Sequence, residues 1–455
     1  MELHPDIRAR KAELLDSLSA LIQIASVADT PAPNAPYGAA VAHCLNEMLA
    51  LCRRLGLRTG QLDRRVGWCE YGTGEQMIAV LGHLDVVPAG DGWRESTPFS
   101  GEIKNGRVYG RGAMDDKGPM VAAVYALAAL KDAGFVPTRR IRVLFGTNEE
   151  TGCGDMAWYR THGGELPVMG FTPDGAYPII NGEKGIFTCT YAHTLHQTDR
   201  HYILTRFEGG TASNVVPDHA VAELRCSADA VAPVAGEGIT VTALENGWRV
   251  EARGVSAHGS TPEQGENAIG RLAMALAQLP LTGELGECMA FLAGRIGMET
   301  RGESFGLAMR DELSGDLTVN LGTAAFARDT LSLSLSIRYP VTLTKDAVYP
   351  RMTRAFALGG FAEVALHHDA ALYVPPESEL IGCLSRVYEA QTGQPATLLC
   401  IGGGTYAKSM PGLVAFGPAF PGDVVREHQP DEYIEVERLL QNAEMIAAAM
   451  VELAK

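Results

Sequence analysis

Two stretches in which short apolar strands alternate with helices, about 36–190 and from about 380 onward, flank a stretch of different texture. In the first, 77–81 and 141–146 are apolar without polar alternation, while 39–55 and 118–133 carry helical patterns. The second of these helices opens on Lys117-Gly118-Pro119, where the missing N–H of proline is harmless. Short strands that are apolar on both faces and joined through helices belong to a mostly parallel sheet covered on both sides. After 380 the rhythm returns, with a helix over 379–392, strands at 397–401 and 413–417, and a last helix over 431–454. The middle stretch instead shows period-two patterns, as in Leu331-Ser332-Leu333-Ser334-Leu335-Ser336-Ile337, with similar runs at 239–243 and 248–252. Such alternation marks half-solvated antiparallel strands, and 267–279 reads as a helix packed on them. The expected fold class is therefore α/β: a mixed, mostly parallel sheet with helices on both faces, interrupted by an inserted α+β domain. The expected division is 1–188 with 381–455, and 189–380 as the insertion.

Composition removes whole classes of function. A chain of 455 residues that is 46% hydrophobic and 20% charged is ordinary globular protein, neither disordered nor collagen-like nor a disulfide miniprotein. Lys and Arg number 38 against 54 Asp and Glu, a net charge of −16, so the cationic footprint that nucleic acid or an anionic membrane requires is missing. The nine cysteines are scattered, odd in number and without a Cys-x-x-Cys pair, which argues for buried free thiols in a reducing compartment. Residues 1–30 read as an amphipathic helix bearing Asp6, Arg8, Arg10, Lys11, Glu13 and Asp16, without the apolar centre of a signal peptide. The longest apolar run, 120–130, is too short to span a bilayer. A cytoplasmic location is expected.

Five segments place acids or histidines where strands end: Gly82-His83-Leu84-Asp85, Met114-Asp115-Asp116-Lys117-Gly118, Thr147-Asn148-Glu149-Glu150, Thr172-Pro173-Asp174-Gly175 and Arg426-Glu427-His428-Gln429. Ligands of open α/β sheets bind beyond the carboxyl ends of the strands. Each segment alone has a plainer reading. His83 and Asp85 could be a satisfied turn, Asp115-Asp116 the acidic start of a helix, Glu149-Glu150 solvated surface, and His428 a loop histidine beside a helix start. Several carboxylates converging at one place, however, repel one another unless a cation neutralises them. Mixed imidazole and carboxylate donors suit zinc, or manganese or cobalt where oxygens dominate.

Taken together, Gly82-His83-Leu84-Asp85-Val86-Val87-Pro88, Gly110-Arg111-Gly112-Ala113-Met114-Asp115-Asp116-Lys117-Gly118-Pro119 and Glu149-Glu150-Thr151-Gly152 resemble the two-metal exopeptidase superfamily. That group includes glutamate carboxypeptidase, succinyl-diaminopimelate desuccinylase, the aminoacylases and the carnosinases. Ile180-Asn181-Gly182-Glu183-Lys184-Gly185, Ser256-Ala257-His258-Gly259-Ser260-Thr261-Pro262-Glu263 and Ile401-Gly402-Gly403-Gly404-Thr405-Tyr406 are similar to the bacterial peptidase V branch of dipeptidases. The resemblance runs through nearly the whole chain.

It implies two divalent metal ions, zinc in the first instance, with manganese or cobalt possible. His83, Asp115 and Asp174 would hold one, and Asp115, Glu150 and His428 the other, with Asp115 bridging and the Asp115–Asp116 peptide cis. Two dications against three carboxylates and one bridging hydroxide cancel. Asp85 would orient the His83 imidazole. Glu149 would be the general base and then the acid; the reverse assignment, Glu149 as ligand and Glu150 as base, is its alternative. In the insertion, the resemblance makes His258 the oxyanion donor. Arg338 would be the fork for a substrate carboxylate, helped by Asn214 and by Gly403, Gly404 and Thr405. The plainer readings are a surface arginine on a strand for Arg338 and a turn residue for Asn214.

The implied activity is hydrolysis of dipeptides or short peptides with a free N-terminus. Hydrolysis of N-acyl amino acids or of an acylated diamino acid is the alternative, and a non-catalytic binding protein the remote one. The length of the insertion resembles the two-lobed lid of peptidase V, which implies a monomer.

Overall fold

The apolar runs form the core of a sheet because their neighbours cover them on both faces. Met77–His83 is buried at every position. A Cβ on Gly82 would meet Asp116 and Met120, so the helix Lys117–Asp132 lies directly against one face of this strand. His83 and its register partner Gly146 face the other way, and there a Cβ on Gly146 would meet the Tyr406 ring. The helix is buried from Lys117 to Leu130, because the C-terminal helix Val436–Leu453 packs on its far side.

The structure is a computed structural model that describes residues 6–455; residues 1–5, part of the stretch read as an N-terminal helix, lie outside the described residues. The chain divides into two units, the first running to Asn181 and resuming over Val374–Leu399 and Gly404–Lys455, the second comprising Gly182–Tyr373 and Cys400–Gly403. The divisions at 181/182 and 373/374 each fall seven residues before the expected 188/189 and 380/381, and Cys400–Gly403, expected with 381–455, falls in the second unit.

In the first unit the strand order is Arg58–Leu62, Val66–Tyr71, Arg140–Gly146, Met77–His83, Met169–Thr172, Leu413–Ala415 and Ile179–Glu183. The four central neighbours run parallel and those at the sides antiparallel, so the sheet is mixed as expected. Two elements differ from the sequence reading. The N-terminal helix is Lys11–Ile22, preceded by one tight turn at Arg8–Arg10, and 23–38 is irregular. Its end is fixed by the buried Lys117 ammonium, which donates to the carbonyls of Leu21 at 3.0 Å and Ile24 at 2.7 Å, satisfying oxygens that a helix end leaves open. The last helix starts at Val436, not near 431, because Tyr433–Glu435 is a strand paired with Arg107–Tyr109.

The second unit is a single antiparallel sheet in the order Ile239–Leu244, Gly247–Arg253, His219–Cys226, Tyr202–Gly209, Thr318–Ala327, Thr330–Tyr339, Gly185–Thr194 and Ala362–Asp369. Between its two groups of four strands the sheet pairs Glu208 with Ala325 and Gly209 with Ala324, and one apolar core runs beneath both groups. On Thr330–Tyr339 the leucines are buried and Ser332 and Ser334 half-exposed, the alternation seen in the sequence. Helix Ala268–Leu276 is capped by Asn267, whose side chain accepts the Gly270 N–H at 3.0 Å.

Candidate metal centre

Every proposed ligand lies in the first unit at a strand end or in the loop after it. His83 closes Met77–His83, Glu150 follows Arg140–Gly146, and Asp174 follows Met169–Thr172. Asp115 precedes helix Lys117–Asp132 at a cis peptide to Asp116, and His428 follows Leu413–Ala415 with φ 60°. These five side chains converge. His83 Nε2 lies 2.9 Å from Asp115 Oδ1 and 3.6 Å from Asp174 Oδ2. His428 Nε2 lies 3.0 Å from Asp115 Oδ2 and 3.1 Å from Glu150 Oε2. The two oxygens of Asp115 therefore face different imidazoles. His83 Nε2 and Glu150 Oε1 are buried without a hydrogen-bond partner, as donors aimed at an ion would be. His83, Asp115 and Glu150 can each offer one donor atom with all three within 4.8 Å of one another.

The neighbours of these ligands fix them through the backbone. His83 Nδ1 is 2.9 Å from the backbone carbonyl of Asp85, while the Asp85 carboxylate is 3.6 Å away. That carboxylate instead accepts the N–H groups of Glu149 at 3.2 Å and Glu150 at 3.1 Å. Asp85 thus orients His83 by its main chain and holds the Glu149-Glu150 turn by its side chain.

The second unit gathers a separate set. The Asn214 carbonyl accepts the Gly259 N–H at 2.7 Å, Val215 bridges His258, and His258 Nδ1 is 2.6 Å from Ser260 Oγ. A Cβ on Gly402 would meet Ser260, and Arg338 donates to the Gly402 carbonyl. Arg338 is buried, its Nε has no partner, and no carboxylate pairs with it among the described residues. Burial pulls its pKa down to about 10. Gly404 and Thr405 belong to the first unit, and Thr405 Oγ1 caps the turn Tyr406–Ser409 by accepting the Ala407 N–H at 3.1 Å.

With this geometry in view, the comparison with known proteins is decisive. Residues 79–452 match Peptidase family M20/M25/M40. The chain belongs to that family. It is 38% identical over 470 residues to the putative dipeptidase YtjP of Bacillus subtilis, covering 100% of both chains. It is 32% identical over 460 residues to the Beta-Ala-Xaa dipeptidase of Lactobacillus delbrueckii subsp. lactis, covering 98% of this chain and 97% of that one. The fold is similar to human carnosine dipeptidase 1, with a TM-score of 0.59 at 16% identity over 98% of each chain. Among the described residues no helix is long and apolar enough to cross a membrane.

The electrostatics of this M20 peptidase fit a cationic occupant. Burial, with Asp115 and Glu427 nearby, holds the Asp174 carboxyl well above the usual range. Burial, with Asp174 and Glu150 nearby, does the same to Glu149. Burial and the neighbouring acids raise Asp85 to about 7. Asp115 goes the other way: burial opposes its charge, but His428 and His83 hold it below the usual range. Contacts with Asp115 and Glu150 push His428 up to about 11. Acids whose charge is opposed by burial and by one another are ones that a nearby cation stabilises.

Sequence reasoning missed three supports. The buried Glu432 accepts the N–H groups of Gly112, Met114 and Asp115 at 3.0, 2.9 and 3.3 Å and pairs with Arg111 at 2.6 Å. Nothing beside Glu432 in the chain marks it; the signal is its distant partner in Gly110-Arg111-Gly112. Buried Asp155 accepts the Thr147 N–H and the Tyr406 hydroxyl, at 2.6 and 2.5 Å. Tyr406 stands edge-on to His83 with centroids 6.0 Å apart. It was visible as the last residue of the glycine-rich motif.

Proposed function

We propose that the protein is a dipeptidase working with two divalent cations, zinc in the first instance. The observation that carries this reading is Asp115, whose two oxygens face His83 on one side and His428 on the other. In this reading His83, Asp115 and Asp174 hold one ion, and Asp115, Glu150 and His428 the second. Such ions supply Lewis acidity, polarising the scissile carbonyl and making water more acidic. Glu149 takes the proton of the attacking water and hands it to the departing amine; the burial that raises its proton affinity suits both transfers. His258 donates to the oxyanion. Arg338 receives the C-terminal carboxylate, supported by the absence of a carboxylate partner for a buried guanidinium among the described residues, with Asn214 and the backbone of Gly403, Gly404 and Thr405 assisting. The first unit is thus the catalytic domain and the second a lid of two lobes, each with four strands. A monomer in the cytoplasm completes the proposal.

The test joins chelation to a substrate panel. Metal-free protein should be inactive and regain activity with Zn²⁺, Mn²⁺ or Co²⁺; turnover by verified metal-free protein would overturn the reading. Restored enzyme should cleave dipeptides at least about 10-fold better in kcat/KM than tripeptides. Preference for N-acyl amino acids would move it to the amidohydrolase alternative, and binding without turnover to the non-catalytic one.

A further inference from the structure

Asn320 lies in strand Thr318–Ala327 of the second unit, opposite Ser336, and is 1% exposed. Its side-chain amide is spent on one segment of backbone. Nδ2 donates to the carbonyl of Ser213 at 2.8 Å and to that of Val215 at 3.0 Å, the two residues on either side of Asn214. Carbonyl oxygens only accept, so these bonds settle which end of the carboxamide is the NH2 group; Oδ1 is buried without a partner. The clamped segment is tied in turn to the loop bearing His258. The Gly259 N–H donates to Asn214 O at 2.7 Å and the Val216 N–H to Ala257 O at 2.9 Å. Gly259 approaches so closely that a Cβ there would sit 2.8 Å from Asn214 O.

The strand is shaped for this contact. Its register slips between Leu321 and Thr323, at Gly322, where any Cβ would strike Ala212 and Ser213. A bulge of this kind re-aims the residues beside it, and here it admits the 211–215 segment against the strand. Asn214 and His258 are both exposed on their loops, and the backbone that carries them is held from beneath.

We infer that Asn320 is a positioning residue that holds Asn214 and His258 in register with each other. The inference rests on the proposed roles of those two residues in peptide hydrolysis. A misplacement of about 1 Å in a catalytic group can cost roughly 100-fold in rate.

The experiment is a mutant cycle on the metal-loaded full chain with a dipeptide substrate. Asn320→Ala should lower kcat/KM about 10- to 100-fold in the otherwise native protein. With Asn214→Ala and His258→Ala already present, it should lower it less than about threefold, because both groups it positions are gone. Metal content should not change. Asn320→Asp, which keeps the volume and removes both donors, should lose at least as much and covers the case in which the alanine variant fails to fold. Leu333→Ala, a core change in the neighbouring strand, serves as a control for loss of Tm. Equal losses in the two backgrounds, or the same rate loss from Leu333→Ala at matched Tm, would overturn the inference and leave the roles of His258 and Asn214 standing. So would a costly His258→Ala beside a harmless Asn320→Ala. A harmless His258→Ala would overturn the roles themselves and the inference with them.

Discussion

Glu149 and Glu150 are adjacent in sequence, yet their surroundings separate them. Glu150 meets His428 at 3.1 Å, while Glu149 forms no ion pair among the described residues and holds its proton well above the usual range through burial. Glu149→Gln should therefore retain both metal ions by elemental analysis and lose about 10²- to 10⁴-fold in kcat. Metal loss from Glu149→Gln but not from Glu150→Gln would invert the two roles. Arg338 offers a second single-residue test. A lysine there would keep the charge and lose the planar fork. Arg338→Lys should erase most of the preference for a dipeptide over its C-terminal amide, read as the ratio of the two kcat/KM values.

The decisive element is the loop 110–116, which carries Asp115 and has little regular structure of its own. Glu432 accepts three of its N–H groups. Glu432→Ala would leave these donors and the Arg111 guanidinium without their buried partner. Removing one member of a buried pair costs on the order of 3–5 kcal/mol, so Tm should fall sharply. Loss of support behind a ligand weakens metal binding about 10- to 100-fold, which a competition titration with a chelator reads directly. An unchanged metal affinity would show that Asp115 is held by its own loop. His83 was legible because it closes an apolar strand, and Glu150 and Asp174 because they follow one closely, where periodicity stops and acids begin. The sequence could not disclose Glu432 or Asn320, which bond to backbone far away in the chain, or Asp155, whose distant partner is the Tyr406 hydroxyl, and none of the three leaves a local pattern. The same limit misplaced the start of the last helix. Tyr433–Glu435 has helix-compatible neighbours, and its pairing with Arg107–Tyr109 is a long-range event that overrides local preference. The Asp85 carboxylate does stand 3.6 Å from His83 Nδ1, but the nearer contact to that nitrogen, 2.9 Å, is the Asp85 backbone carbonyl.

For the whole molecule, the proposed reading makes one chain sufficient. Mixing inactive His258→Ala with inactive Glu149→Gln under exchange conditions should regenerate no activity, since each chain would carry its own complete set. Recovered turnover would mean that sites are completed in trans. The first unit gives up the chain and takes it back at one spot. The Val374 N–H donates to the Asn181 carbonyl, and Asn181 Nδ2 to the Val374 carbonyl at 2.8 Å. The chain thus leaves the first unit and returns to it at touching positions, and the ends of everything in between are already joined. Such a place is a natural point for recombination, because a segment whose ends lie side by side can be spliced there. The four residues Cys400–Gly403 also belong to the second unit, so a transplanted segment would have to match them as well.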